Sequence, residues 1–295
     1  MEDAVNIFSR LQPRMLGAAY RMLGSLADAE DVVQDVWTRW HDTDLDEVDN
    51  AEAWLVATTT RRAIDRLRQA RTEREKYIGI WLPEPVLTDG PATPEQLEEA
   101  SSDLSIAFLI VLERLAPEAR AAFLLHDVLD VDYDEIAAIL GKTEAAVRQI
   151  VHRAKSQLRN ERPRYAISAD AHQRLMRRFV DALSTGDFAG MKSMLAESAE
   201  LVGDGGGIVT SFPKPMVGGP RIAQLFYAPT LRSDNAVRIE AATINGRLGV
   251  LRYMRGKLES AQSYDTDGER IVRIYVQRNP EKLRRIVAHQ AFALR

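Results

Sequence analysis

The chain has 295 residues, a net charge of −4 from 39 Lys and Arg against 43 Asp and Glu, and no cysteine. That length allows two or three domains with their own cores, while the lack of cysteine excludes disulfides, CxxC redox pairs and thiolate-bound zinc, and the five histidines follow no metal-binding spacing. Any nucleic-acid contact must therefore come from a local basic patch; with no secretory leader and no apolar run near the ~18–20 residues that span a bilayer, a soluble cytoplasmic protein without membrane contact is expected.

Residues 3–76 read as helical, with turn chemistry at Gly24-Ser25 and in the acidic stretch after His41. The segment LADAEDVVQDVWTRW (26–40) places Val32, Val33, Val36, Trp37 and Trp40 on a buried side. Asp28, Asp31 and Asp35 then form a ridge, with Glu30 and Gln34 beside it. Residues 28–52 hold ten Asp/Glu and one Arg, so this face suits a basic protein partner better than DNA. The segment WLVATTTRRAIDRLR (54–68) sets an apolar stripe beneath Arg61, Arg62, Asp65, Arg66 and Arg68. Residues 61–76 carry seven basic against three acidic side chains, and these can reach phosphates and nearby bases.

Gly79, Pro83, Pro85, Gly90, Pro91 and Pro94 then mark a loop or linker. Helical periodicity resumes over residues 95–162, broken near Pro117. Within it, DYDEIAAILGKTEAAVRQIVHRAKSQLR (132–159) reads as a short helix, a tight turn and a second helix. Gly141 suits a left-handed C-cap and Thr143 an N-cap. Val147, Ile150, Val151, Ala154 and Leu158 face a core, while Arg148, His152, Lys155 and Arg159, flanked by Gln149, Arg153 and Ser156, form an outer stripe. A helix that packs on one side and offers Arg, Gln, His and Lys on the other suits the DNA major groove. An ordinary helical hairpin with a solvated cationic face is the alternative.

After Pro163 the pattern changes to an amphipathic helix over 172–184 and then to strand-like runs at 200–202, 237–244, 248–252, 257–264 and 270–277. Asp267-Gly268 is a hairpin signal between the last two runs. This part reads as a separate α+β domain.

The three N-terminal motifs, in this order, resemble a bacterial sigma factor of the extracytoplasmic-function class. DAEDVVQDVW (28–37) is similar to region 2.2, WLVATTTRRAIDRLR to region 2.4, and residues 115–158 to region 4. The resemblance implies that Asp28, Glu30, Asp31, Gln34 and Asp35 bind the β′ clamp helices of core RNA polymerase, whose β flap is a second contact. It assigns Trp54, Arg61, Arg62, Asp65, Arg66 and Arg68 to the promoter −10 element, with the acidic loop at 41–52 helping to hold a flipped base. Thr143, Glu144, Arg148, Gln149, His152, Arg153 and Lys155 fall to the −35 element, Lys155 on phosphate. A DNA-binding protein that works without polymerase is the competing reading, against which the acidic ridge stands.

Three further motifs are Trp81-Leu82-Pro83-Glu84-Pro85, Asp204-Gly205-Gly206-Gly207 and Asn279-Pro280-Glu281-Lys282-Leu283. With the stretch at 174–195 they resemble the sigma-J type, which carries a fused SnoaL-like domain, a sheet wrapped by helices around a cone. One departure is Ile208, where the family often has Lys or Arg. The expected architecture is multidomain: sigma region 2 at 1–76, a linker at 77–100, sigma region 4 with its helix-turn-helix at 101–163, and a regulatory SnoaL-like domain at 164–295. The glycine turn is expected to receive the Trp81 linker and to regulate the factor in cis. An alternative gives the cone a small-molecule ligand or cyclase/isomerase chemistry, but His172, Asp181, Asp204 and His289 form no recognisable acid/base spacing. No enzyme, catalytic residue, cofactor or metal is expected.

Overall fold

The computed structural model describes residues 4–44, 48–88, 104–159, 168–229 and 237–293, with side chains up to 288. Part of the acidic loop, the second half of the linker and the His289 side chain lie outside the described residues. The chain forms two compact units, one from residues 1–76 with 109–162 and one from residues 77–108 with 163–295.

The first unit is all helical. Its first helices are α1 (Ala4–Leu23), α2 (Leu26–His41) and α3 (Ala51–Arg74), and α2 and α3 start where the sequence supplies caps. Ser25 Oγ accepts from Asp28 N at 3.2 Å and Asn50 Oδ1 from Ala53 N at 3.0 Å, each satisfying an otherwise orphaned helix donor. Phe8, Met15, Val33, Val36, Trp40 and Leu55 form their core. The Trp40 indole, buried at the centre, satisfies its N–H on Ala4 O at 2.9 Å. Trp37, expected inside, is only half-buried and sits edge-on to Phe8. After α4 (Ile106–Leu112), the helices α5 (Pro117–Asp127), α6 (Tyr133–Leu140) and α7 (Glu144–Arg159) enclose Ala122, Leu125, Ile136, Ala137, Val147 and Val151.

The second unit contains α8 (Ala169–Thr185), α9 (Phe188–Met194), β1 (Leu195–Asp204), β2 (Met216–Val217) and α10 (Gly219–Tyr227), followed by β3 (Val237–Ile244), β4 (Arg247–Met254), β5 (Lys257–Thr266), β6 (Ile271–Gln277) and α11 (Pro280–Ala293). The sheet order is β2-β1-β6-β5-β4-β3, antiparallel except for the β1–β6 pair. Period-two alternation gives the sheet two buried faces. Leu201, Ile274 and Tyr264, in register across β1, β6 and β5, pack on one face with Met176, Phe179 and Ile222 of the helices. Asp204, Gln277, Ala261 and Leu251 are in register on the other face, where Leu283 and Ile286 of α11 complete a second cluster with Leu87. This is the α+β SnoaL-like architecture that the motifs imply.

The expected strand at 237–244 is β3, and Asp267-Gly268 turns the chain between β5 and β6, with Gly268 at φ 101°. Two more hairpins were not anticipated. Asn245-Gly246 (φ 51° and 75°) joins β3 to β4, and Arg255-Gly256 (φ 51° and 78°) joins β4 to β5. Consecutive positive φ values fit the primed turns that match strand twist. His172 is buried on α8, with Nε2 3.2 Å from Leu248 O.

Candidate functional site

The helix-turn-helix is bounded at its turn by two caps. Gly141 takes φ 62° at the end of α6, and Thr143 Oγ1 accepts from Ala146 N at 3.3 Å to open α7. Val147, Val151, Ala154 and Leu158 are buried, which leaves Thr143, Glu144, Arg148, Gln149, His152 and Arg153 exposed along one helix. Lys155 is less free, paired with Asp127 at 2.7 Å.

In region 2, the end of α2 and the start of α3 border a cleft of about 580 Å³, lined by Arg39, Asp42, Thr43, Trp54, Thr58, Arg61, Arg62 and Asp65. Its volume is that of a small-molecule site. The Trp54 ring leans on Trp40 at 5.3 Å. The sequence pointed to Trp54, Arg61, Arg62 and Asp65; it missed Arg39, Asp42, Thr43 and Thr58, which polarity alone does not separate from solvated helix ends. Arg66 does not line the cleft. It bridges α3 to α2 through Asp28 at 2.6 and 2.9 Å and also reaches Glu73. Asp28 is correspondingly half-buried, whereas Glu30, Asp31, Gln34 and Asp35 are exposed on the outer side of α2.

Within this unit four of the region 2 arginines, Arg61, Arg68, Arg71 and Arg74, are engaged by region 4. Arg61 donates to Ile139 O at 3.0 Å and Ala138 O at 3.2 Å, carbonyls at the end of α6. Arg68 pairs with Glu118 at 3.0 Å, and Lys142 meets the same carboxylate at 3.0 Å; the Lys142 hydrogen bond is the main reason that the Glu118 carboxyl lies below the usual carboxylate range. Arg71 donates to Glu113 O and Leu115 O, and Arg74 pairs with the Glu113 carboxylate. That carboxylate also receives Arg120, which is fully buried and donates to Met22 O at 2.6 Å. The half-exposed pairs at Glu118 are weak individually and screened by salt, whereas those at Glu113 are largely buried.

In the second unit the three short motifs meet at one carboxylate. Asp204 ends β1 fully buried. Its Oδ1 accepts from Tyr77 OH at 2.6 Å and Gly206 N at 2.9 Å, and its Oδ2 accepts from Leu82 N at 3.0 Å, Gln277 Nε2 at 3.2 Å and Lys282 Nζ at 2.7 Å. Burial and then this carboxylate push the Tyr77 phenol far above its ordinary pKa, so it remains a donor. Lys282 also donates to Leu82 O at 2.7 Å and lies 4.5 Å from the Trp81 ring centre and 4.9 Å from that of Tyr77. Asn279 donates to Tyr77 OH at 3.0 Å and caps α11 by accepting from Glu281 N at 3.0 Å.

The glycines allow this approach. Gly206 has φ 66° and Gly207 φ 70°, and a Cβ on Gly206 would overlap the Asn279 carboxamide. Gly205 turns the chain, its O accepting from Ile208 N and Val209 N. The residue against Gly207 is Ile78 rather than Trp81, whose ring faces the Lys282 ammonium. Further along, Glu84 is buried beside Arg285 at 3.3 Å, Val86 N donates to Asn245 Oδ1 at 3.0 Å, and Thr88 N donates to Thr243 O at 3.0 Å. Pro83 and Pro85 are buried, and Pro280 opens α11 above the buried Leu283. The structure thus brings together Trp81–Pro85, Asp204–Gly207 and Asn279–Leu283, and adds Tyr77, Ile78, Asn245, Gln277 and Arg285. Of the candidate acid/base residues, Asp204 is the centre of this cluster, its carboxylate taken up by five donors; His172 lies apart from it on α8, where burial, then Arg247, lowers its pKa to about 4.

The Sigma-70 region 2 family matches residues 7–73 and the Sigma-70, region 4 family residues 107–158. The ECF RNA polymerase sigma factor SigJ of Mycobacterium tuberculosis is 35% identical over 281 residues, which cover 92% of this chain and 88% of that protein. A probable ECF RNA polymerase sigma factor of the same species, SigI, is 27% identical over 91% of both chains. The crystal structure of the M. tuberculosis extracytoplasmic function sigma factor SigJ superposes with a TM-score of 0.75 at 30% identity, covering 95% of this chain and 98% of that one.

Proposed function

The chain belongs to the extracytoplasmic-function sigma factors, non-enzymatic proteins that direct core RNA polymerase to promoters, and from that premise we propose how its surfaces divide the work. The exposed ridge of Glu30, Asp31, Gln34 and Asp35 docks on the β′ clamp helices, and region 4 meets the β flap, in the cytoplasm where the polymerase is. Helix α7 enters the −35 major groove with Arg148, Gln149, His152 and Arg153 toward base edges. The region 2 cleft takes a flipped −10 base against Trp54, with Arg61 and Arg62 on the backbone and Asp65 at a base edge.

The observation that carries this division is the convergence of Trp54, Arg61, Arg62 and Asp65 on one cleft. Arg61 and Arg68 cannot serve DNA while they serve region 4, so the packed first unit is a resting form that promoter binding must loosen. The SnoaL-like domain acts in cis by clamping the linker that follows Lys76, which limits the reach between regions 2 and 4. Promoter selection with holoenzyme tests the division: Arg62→Ala should lose −10 discrimination and Arg148→Ala should lose −35 discrimination. Loss of both elements by either variant would mean that the two surfaces are not separate readers.

A further inference from the structure

Arg148 is exposed yet not free to swing. Its Nε donates to Glu144 Oε1 at 3.0 Å, and Nη2 reaches the same oxygen. Its guanidinium carbon sits 4.3 Å from the centre of the Tyr133 ring. That ring in turn stacks on His126, with centroids 4.1 Å apart and planes 37° from parallel, and His126 Nδ1 lies 3.4 Å from Val131 O. One arginine is therefore held by groups from the ends of three helices, α5, α6 and α7.

We propose that Tyr133 and Glu144 are positioning residues that hold Arg148 so that it reads one guanine of the −35 element. This rests on the assignment of α7 to that element. The chemistry follows from which edge of the guanidinium is used. Glu144 takes the side formed by Nε and Nη2, which leaves the end formed by Nη1 and Nη2 of this exposed side chain to a ligand. Two parallel N–H donors in a fixed plane match the O6 and N7 acceptors of guanine in the major groove. A freely rotating arginine would reach phosphates as readily as bases and discriminate little. Stacking on Tyr133 fixes the plane, and the Glu144 carboxylate fixes the rotation within it. The role is thus one of orientation: neither Tyr133 nor Glu144 needs to touch the base.

The test uses the full chain assembled with core polymerase and a promoter library randomised across the −35 element, for wild type, Arg148→Ala, Tyr133→Phe, Tyr133→Leu and Glu144→Gln. Arg148→Ala is expected to abolish the preference for guanine at one position. Tyr133→Phe keeps the ring and should keep that preference. Tyr133→Leu retains apolar packing but removes the stack, and should reduce the preference at the same position by about fivefold, as the loss of one exposed cation–π contact allows, with other positions unchanged. Glu144→Gln should act at the same position in the same direction. The proposal is overturned if Tyr133→Leu leaves the Arg148-dependent preference intact, or if it weakens every position equally. If Arg148→Ala itself changes no position, the assignment of Arg148 to the −35 element falls and the proposal falls with it.

Discussion

Removing the Asp204 carboxylate tests whether the linker is clamped to the SnoaL-like domain as the structure describes. Asp204→Ala would leave the Lys282 ammonium, whose side chain is only 14% exposed, without its counter-charge. It would also strip acceptors from Tyr77 OH, Leu82 N, Gly206 N and Gln277 Nε2. Breaking one partner of a buried ion pair costs about 3–5 kcal/mol. The orphaned neutral donors do not add their full cost, because Tyr77 and Gln277 can turn toward other acceptors and energies within one network are not additive. The expected loss is therefore about 3–5 kcal/mol in total. Lys282→Met should cost less, about 1–3 kcal/mol, since Asp204 keeps four neutral donors. Urea unfolding of the full chain measures the loss. Chymotryptic cleavage after Tyr77 and Trp81 reports release of the linker directly, and Asp204→Ala should speed it more than about tenfold, as a local opening eased by over 1.4 kcal/mol requires. An Asp204→Ala protein with wild-type cleavage and a loss below about 1 kcal/mol would refute the clamp.

Gly206→Ala should release the same linker, because φ 66° strains alanine and its Cβ would meet Asn279; Gly256→Ala, at φ 78° with open space around it, should cost only the backbone strain of roughly 1–2 kcal/mol and leave cleavage unchanged. Glu118→Gln should release Arg68 from region 4, leaving it only its pair with Asp65 at 3.0 Å, and raise the affinity of the full chain for single-stranded −10 DNA by about two- to fivefold at low salt. Fluorescence anisotropy measures this, and weaker binding would contradict the resting form. For His172 the folded pKa, about 4, lies below the ordinary 6.5, so the unfolded chain binds more protons between these values. Stability from keeping His172 neutral is present above pH 6.5 and is lost as pH falls toward 4, by roughly 3 kcal/mol at most. His172→Asn should flatten that part of the curve of melting temperature against pH, and an unchanged slope would mean that the ring is not desolvated.

The parts of the fold that follow from local chemistry were legible in the sequence. Caps at Ser25 and Thr143, the left-handed Gly141 and the turn at Asp267-Gly268 all act within a few residues, and periodicity separated Val147, Val151 and Leu158 from the outer stripe of α7. Asn245-Gly246 was equally readable as a turn signal, and with it the edge to which Val86 and Thr88 bind. What the sequence could not display was pairing across long separations. Tyr77 and Gln277 join Asp204 over 127 and 73 residues, and no local pattern marks a phenol or an amide for that role. The engagement of Arg61 with the carbonyls of Ala138 and Ile139 was hidden for the same reason. A basic stripe looks the same whether it faces phosphate or the end of another helix. Burial of His172 depended on the Leu248 strand reaching α8, which amphipathicity of the helix alone did not resolve.

The most direct measurement is in vitro transcription with bacterial core polymerase, on a template selected with the same holoenzyme, comparing the full chain, an Asp31→Lys/Asp35→Lys variant and Trp81→Ala. The full chain should bind core and initiate at the selected promoter, the charge-reversed ridge should lose core binding, and Trp81→Ala should initiate with altered output because the linker is less firmly held. Full core binding by the charge-reversed variant would contradict the docking role of α2, wild-type output from Trp81→Ala would contradict regulation in cis, and a full chain that never binds core polymerase would contradict the assignment of this chain to promoter initiation.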